Sequence, residues 1–237
     1  MQFRYLTTSI AAALLVGACS QAQDAAEKTV ETAKTAGSEA MDAGKKTMSD
    51  AKQAAQEVMP GVDIGALPSG TYNADSGHAY IAFSYSHQGY SKPVLRWGAF
   101  DATVNLDNEN PENSTVSVSI PVASIDSGVA DFNDHLVSAD FFDAQNHPTI
   151  TFNSTAVNQS ILGSGTLTGD LTIKDVTKPV ELKVKLNKTG KHFRSQKDMF
   201  GISAKGKIKR SEFGVDKYAP MADDVELTIE VEFQKAD

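Results

Sequence analysis

Val225-Glu226-Leu227-Thr228-Ile229-Glu230-Val231-Glu232-Phe233 places an apolar residue at every odd position and a polar one between. Successive side chains on a strand point to opposite sides, so a period of two marks a strand with one dry face and one wet face. The same alternation recurs upstream in Ile81, Phe83 and Tyr85, in Phe100, Ala102, Val104 and Leu106, and in Val116, Val118, Ile120 and Val122. It returns in Ile150 and Phe152, and in Leu167, Gly169, Leu171 and Ile173. Val180, Leu182, Val184 and Leu186 repeat it, as do Phe200, Ile202, Ala204, Gly206 and Ile208. The pattern predicts an all-β domain of about eight half-buried antiparallel strands.

A sheet that is apolar on one side must be covered by helices, by a second sheet, or by closing on itself. Only residues 130–143 read as helical, for a turn or two, so closure is favoured over an α/β layer. Alternation alone leaves both a barrel and a sandwich open. An eight-stranded barrel has an interior just wide enough for side chains or one small ligand. Ala102, Ala156, Gly169, Ala204 and Gly206 fall on the expected inward faces, and small residues there leave room for a cavity.

Outward from this domain the chain changes character. Residues 1–8 carry one positive charge, Arg4; residues 9–16 are apolar, and Gly17-Ala18 are small. This is the layout of a secretory signal, 1–18, too short for a membrane helix. Cys19 is the only cysteine in the chain and follows Val16-Gly17-Ala18 directly. The arrangement resembles the bacterial lipobox, which implies acylation of Cys19 and anchorage to a membrane. Ser20, in place of Asp, resembles the sorting signal for the periplasmic face of the bacterial outer membrane.

Residues 19–67 read as a stalk or linker. Ala26, Val30, Ala33, Gly37, Met41, Gly44, Met48, Ala51, Ala55 and Val58 recur at steps of three and four, a thin helical face. Fully helical, residues 21–59 would reach about 57 Å; a solvated linker fits their composition equally. Pro60-Gly61, Gly65 and Pro68-Ser69-Gly70 then punctuate the chain, placing the domain at 68–237. Across all 237 residues the hydrophobic content of 41% and charged content of 22% are ordinary for a globular protein. The formal net charge of −8 speaks against a nucleic-acid partner. After the N-terminus no apolar run is long enough to span a bilayer as a helix.

An ordered set of motifs adds to this reading. Asp75-Ser76-Gly77-His78 leads into a strand that ends at Ser86-His87-Gln88-Gly89-Tyr90. His135-Leu136-Val137-Ser138-Ala139-Asp140-Phe141-Phe142-Asp143 and His147-Pro148-Thr149-Ile150-Thr151-Phe152 follow. Then come Gly165-Thr166-Leu167-Thr168-Gly169-Asp170-Leu171-Thr172-Ile173, Arg210-Ser211-Glu212-Phe213-Gly214-Val215 and Asp223-Asp224-Val225-Glu226-Leu227. Taken in order, they resemble the YceI-like family of bacterial polyisoprenoid-binding proteins, from about Gly70 to Phe233. The resemblance implies a lipocalin-like antiparallel barrel with a short helix, exported, and threaded by a long isoprenoid chain of quinone or prenyl phosphate type. Ala79, where the family often has Ser, and Trp97-Gly98-Ala99 depart from its pattern. Both changes fall near an expected barrel mouth and bear on headgroup preference.

The candidate binding residues follow. Phe83, Phe100, Val104, Val118, Ile120, Phe152, Leu171, Ile202 and Leu227 are the inward apolar positions that would grip the chain, or pack as an ordinary core. His78, His87 and His135, with Arg96 and Tyr90, could donate hydrogen bonds to a quinone carbonyl or pyrophosphate, or satisfy loop carbonyls. A metal site is disfavoured, since His78 and His87 have opposite parity on a regular strand and Cys19 is taken by lipid. No Gly-x-Ser-x-Gly elbow and no complete phosphate-cradling Gly-x-x-x-x-Gly-Lys-Ser/Thr is present. The expectation is a carrier or store that uses no cofactor and is not an enzyme. A structural lipoprotein with a filled barrel is the alternative, and an enzyme acting on isoprenoid lipids comes behind it. Partners are the isoprenoid lipid and the membrane through Cys19; a homo-oligomer or a membrane redox partner stays open.

Overall fold

The structure is a computed structural model that describes residues 64–159 and 163–237. The expected signal, Cys19 and the stalk up to residue 63 lie outside the described residues. The chain divides after Pro60, and the unit described here is Gly61–Asp237.

Strand β1 (Gly70–Tyr85) is long enough to serve three neighbours. One edge pairs with β10 (Asp224–Lys235), from Tyr72 opposite Lys235 to Tyr85 opposite Val225. The other edge is shared: Gly70 to Asn73 pair with β3 (Asp101–Leu106), and Ile81 to Ser84 with β2 (Val94–Trp97). Between β2 and β3 the backbone turns at Gly98, whose N–H donates to the Ser124 carbonyl at 2.6 Å. A Cβ there would stand 3.0 Å from that oxygen, so only glycine fits the approach without displacement.

From β3 the antiparallel ladder continues through β4 (Thr115–Pro121), β6 (Thr149–Gln159), β7 (Ser164–Ile173), β8 (Val176–Lys191) and β9 (Asp198–Lys209) to β10. Since β10 pairs back with β1, eight strands close into a barrel. β2 and the two-residue β5 (Ile125–Asp126) hang beyond the ring as an extra flap. Closure leaves the eight ring strands without a free edge. Among the described residues the one α-helix is α1 (Ala130–Val137), inside the stretch read as helical from sequence.

The long strands give the barrel two poles. At one stand Gly70, Leu106, Lys191 and Asp198; at the other, Tyr85, Ile173, Val176 and Lys209. Each pole has its own apolar cluster. The Tyr85 pole gathers Ile81, Leu95, Trp97, Ile120, Ile150 and Phe213, and the Gly70 pole gathers Leu67, Tyr72, Leu106, Leu186, Phe200 and Phe233. Leu67, on the stalk side of the expected boundary, is buried and belongs to the barrel.

Candidate functional site

Between the two clusters runs a cavity of about 490 Å³. Its wall is the dry face of the alternating strands, which is why most of its side chains are Phe, Leu, Ile and Val. Phe83, Phe100, Val104, Val118, Ile120, Phe152, Leu171, Ile202 and Leu227 all line it. Sequence alternation places them there because a strand of fixed parity sends every second side chain inward. Leu95, Trp97, Leu182, Ile208 and Val215 line it too and were not among the sequence candidates. Trp97 carried a readable signal as the only tryptophan of the chain.

The small residues divide into three groups. Ala102 and Ala204 line the cavity directly. Gly169 and Gly206 make room for neighbours instead. A Cβ at Gly206 would stand 2.5 Å from Leu182 Cδ2, and one at Gly169 would overlap the Phe152 ring. Ala156, expected inward, is exposed. A register shift between Ser154 and Ala156 on β6 reverses the parity, since one extra residue moves every following side chain to the other face.

The two poles are finished differently. At the Gly70 pole Tyr72 is fully buried, with its ring edge-on to Phe200 at 5.3 Å, and Phe200 stacks on Phe233 at 5.1 Å. The Tyr72 hydroxyl donates to the Pro68 carbonyl at 2.7 Å. Burial pushes this phenol up to about 12, with the Asp198 carboxylate adding in the same direction. Ser114, Asn158, Ser164 and Thr166 supply the polar lining nearer this pole.

At the Tyr85 pole α1 lies across the barrel end and sends Phe132 and Leu136, one helical turn apart, to the cavity. The chain then folds back, Phe142 N–H to Leu136 carbonyl and Asp143 N–H to Ser138 carbonyl, which seats Phe141 and Phe142 on the wall. The Phe142 ring meets Trp97 edge-on at 5.4 Å, and Trp97 lies 5.6 Å from Phe83. Around these rings His87, Gln88, His135, Arg210, Lys217 and Tyr218 form a polar rim. Asp140 accepts from Lys217 at 3.2 Å and faces His135 Nε2 at 3.3 Å, and these two partners hold its carboxyl below the usual range. Arg210 donates to the carbonyls of Ala222 and Val215, both at 2.7 Å, and burial lowers its guanidinium from the usual value. Arg210 opens the Arg210–Val215 motif but was not among the candidate residues, because its role depends on the turn that follows β9.

Three polar candidates lie off the cavity. Arg96 points outward from β2, its Nε and Nη2 donating to Asp126 Oδ2 at 3.0 and 2.9 Å. Tyr90 sits in the 87–91 hairpin, 88% exposed. His78 belongs to a bulge: residues 75–78 of β1 stand opposite the single residue Glu232 of β10, so the strand parity is lost and the imidazole faces solvent. Ala79 packs into the Gly70-pole cluster, away from the rim at the Tyr85 pole. As to metals, Asp75, His78 and Glu232 bring one ligand atom each within 4.8 Å of one another on the outer wall. Asp75 Oδ2 there already accepts from His78 Nδ1 and Gln234 Nε2, both at 3.0 Å. Among the described residues the cavity itself holds no such group.

The model of the YceI-like domain matches residues 72–233, the whole ring of strands and the cavity they enclose. The chain belongs to the YceI-like family. It is 38% identical over 157 residues to Protein YceI of Escherichia coli O157:H7, covering 65% of this chain and 81% of the relative. Among solved structures, BcnA of Burkholderia cenocepacia superposes with a TM-score of 0.61 at 25% identity, covering 67% of this chain and 98% of that one. A polyisoprenoid binding domain from Saccharophagus degradans, implicated in plant cell wall breakdown, superposes with a TM-score of 0.50 at 9% identity. It covers 71% of this chain and 100% of that one, and its likeness shows the fold. The family is a binding-domain fold, and the YceI-like barrel expected from sequence is the barrel observed.

Proposed function

We propose that this YceI-like barrel holds a long-chain polyisoprenoid, of quinone or prenyl phosphate type, as an exported lipid-anchored carrier or store that performs no chemistry on it. One observation carries the reading: a lumen of about 490 Å³ whose wall is apolar along its length, with polar side chains confined to its ends. That volume lies within the range of about 300–1,000 Å³ typical of small-molecule sites. An amphiphile with one polar end and a long greasy tail is the shape that fits. Each buried methylene is worth about 0.8 kcal/mol, so a five-carbon unit contributes about 4 kcal/mol before ordering costs. Two or three such units suffice for micromolar affinity with no charged clamp. The rim of His87, His135, Arg210 and Lys217 can meet the polar end. The polyisoprenoid binding of the Saccharophagus degradans domain supports the same class of ligand. A filled barrel, the main alternative, is disfavoured by the free volume.

Organic extraction of the purified protein followed by mass spectrometry tests this. The expected result is a stoichiometric isoprenoid. In Leu227→Trp, where an indole fills the lumen, the ligand should fall at least tenfold while the barrel still melts cooperatively. Protein that carries no extractable lipid and takes up none when offered it would end the proposal.

A further inference from the structure

The outer wall of the barrel is not evenly charged. Residues 174–217 carry thirteen lysines and arginines against five aspartates and glutamates, a net of +8 in a chain whose total is −8. This stretch is β8, β9 and their flanking turns, one two-stranded ribbon on the barrel wall. The register makes the excess sharper. Lys183 stands directly opposite Lys205 across the two strands. On its other side Lys183 faces Thr166, Lys185 lies between Ser164 and Ser203, and Lys205 has Thr228 as its neighbour on β10. Among the described residues Lys183, Lys185, Lys188, Arg194 and Lys205 have no carboxylate partner within ion-pair distance. Like charges directly opposite on a sheet work against folding. A local rule broken with no structural return points to a function.

The ribbon ends in a projecting hairpin, residues 192–197, at the Gly70 pole. Its tip presents Phe193, 74% exposed, with the Arg194 guanidinium 5.2 Å from the ring centroid. An aromatic ring beside a cation at the tip of a basic ribbon has the composition of a lipid-interface contact: lysines for anionic headgroups, a ring for the boundary below them. The surface is convex, which suits a deformable bilayer better than a rigid groove. The described chain also begins at this pole, where Ile64 and Leu67 pack into the barrel.

We infer that the β8–β9 ribbon is a docking surface for an anionic lipid bilayer, with Lys183, Lys185, Lys188, Arg194 and Lys205 meeting headgroups and Phe193 entering the interface. This goes beyond the lumen and does not depend on what fills it.

The test is co-sedimentation of the full chain as Cys19→Ser, so that no acyl chain contributes, with phosphatidylcholine vesicles made with and without phosphatidylglycerol. Binding is expected only with the anionic lipid and should weaken as salt rises. Each lysine near such a surface is worth about fivefold in partitioning. The fourfold variant Lys183→Gln/Lys185→Gln/Lys188→Gln/Lys205→Gln should therefore bind nearly three orders of magnitude more weakly. Phe193→Ser should lose about tenfold. Because the Lys183–Lys205 repulsion is relieved, the fourfold variant should melt at the same temperature or higher. Should it fail to fold, the single Lys205→Gln, expected to lose a few-fold, carries the same test. Equal binding to neutral vesicles, unchanged binding of the variants, or a soluble polyanion binding as tightly with Phe193→Ser neutral would overturn the inference. Lipid extracted from the same preparations reads the lumen separately, so the two proposals fail independently.

Discussion

His78 shows how a single residue can be right in type and different in place. The sequence offers it as a donor to a ligand headgroup; the bulge of β1 makes it the holder of a fold irregularity. Its Nδ1 bonds Asp75, which also accepts the Gly77 N–H at 3.0 Å, so the four-residue bulge is pinned by one carboxylate. The hydrogen bond to Asp75, then the charges of Glu232 and Asp75, raise the imidazole above its ordinary 6.5. The same bond, with that from Gly77, lowers Asp75 below 3.8. A raised imidazole stabilises the folded state fully below pH 6.5 and loses that contribution as pH climbs through its higher folded value. A lowered carboxyl contributes above pH 3.8 and loses it as pH falls through its depressed value. The bulge is therefore tightest between those limits. In an NMR titration His78 should show a midpoint above 6.5, and Asp75→Asn should bring it back towards 6.5. A midpoint at or below 6.5 in the parent protein would contradict this account.

Among the elements, α1 and the turn after it do the most for the cavity. The helix was legible as a short period near residues 130–143, but the seating of Phe141 and Phe142 was not, because a return turn held by main-chain bonds leaves no periodic trace. The strands were legible wherever parity runs unbroken, as from Phe200 to Ile208 and from Val225 to Phe233. It failed at Ala156 and His78, where a bulge inserts residues that alternation has no means of marking. The three-ring contact of Phe142, Trp97 and Phe83 gives a direct readout, since Trp97 is the only tryptophan. Phe142 is partly buried, so Phe142→Ala should cost about 2–4 kcal/mol of stability, somewhat below the range for a fully buried phenylalanine. The indole emission should shift to the red as water reaches the ring. Adding an apolar ligand to delipidated parent protein should shift it to the blue.

For the barrel as a body, closure was the one property that alternation left open, since the dry faces of a sandwich and a barrel read alike. The ordered motifs, not the pattern, separated them. Nine apolar wall positions were legible because parity suffices to name them. The rim at the Tyr85 pole was only half legible, because Arg210 and Lys217 reach it through turns. At the opposite pole Tyr72 should titrate near pH 12, above the ordinary phenol value of about 10. Its stabilising effect is lost as pH rises between those values, since the unfolded chain releases that proton first. Tyr72→Phe removes the bond to Pro68 and should cost about 1 kcal/mol, read from chemical denaturation. It should also remove the late step from an absorbance titration.

Leu67 is buried in one cluster with Tyr72 at the Gly70 pole, so the chain is packed into the barrel wall before its first strand begins. Changes of length before residue 64 should therefore leave the melting temperature of the barrel unchanged, while Leu67→Ala should lower it.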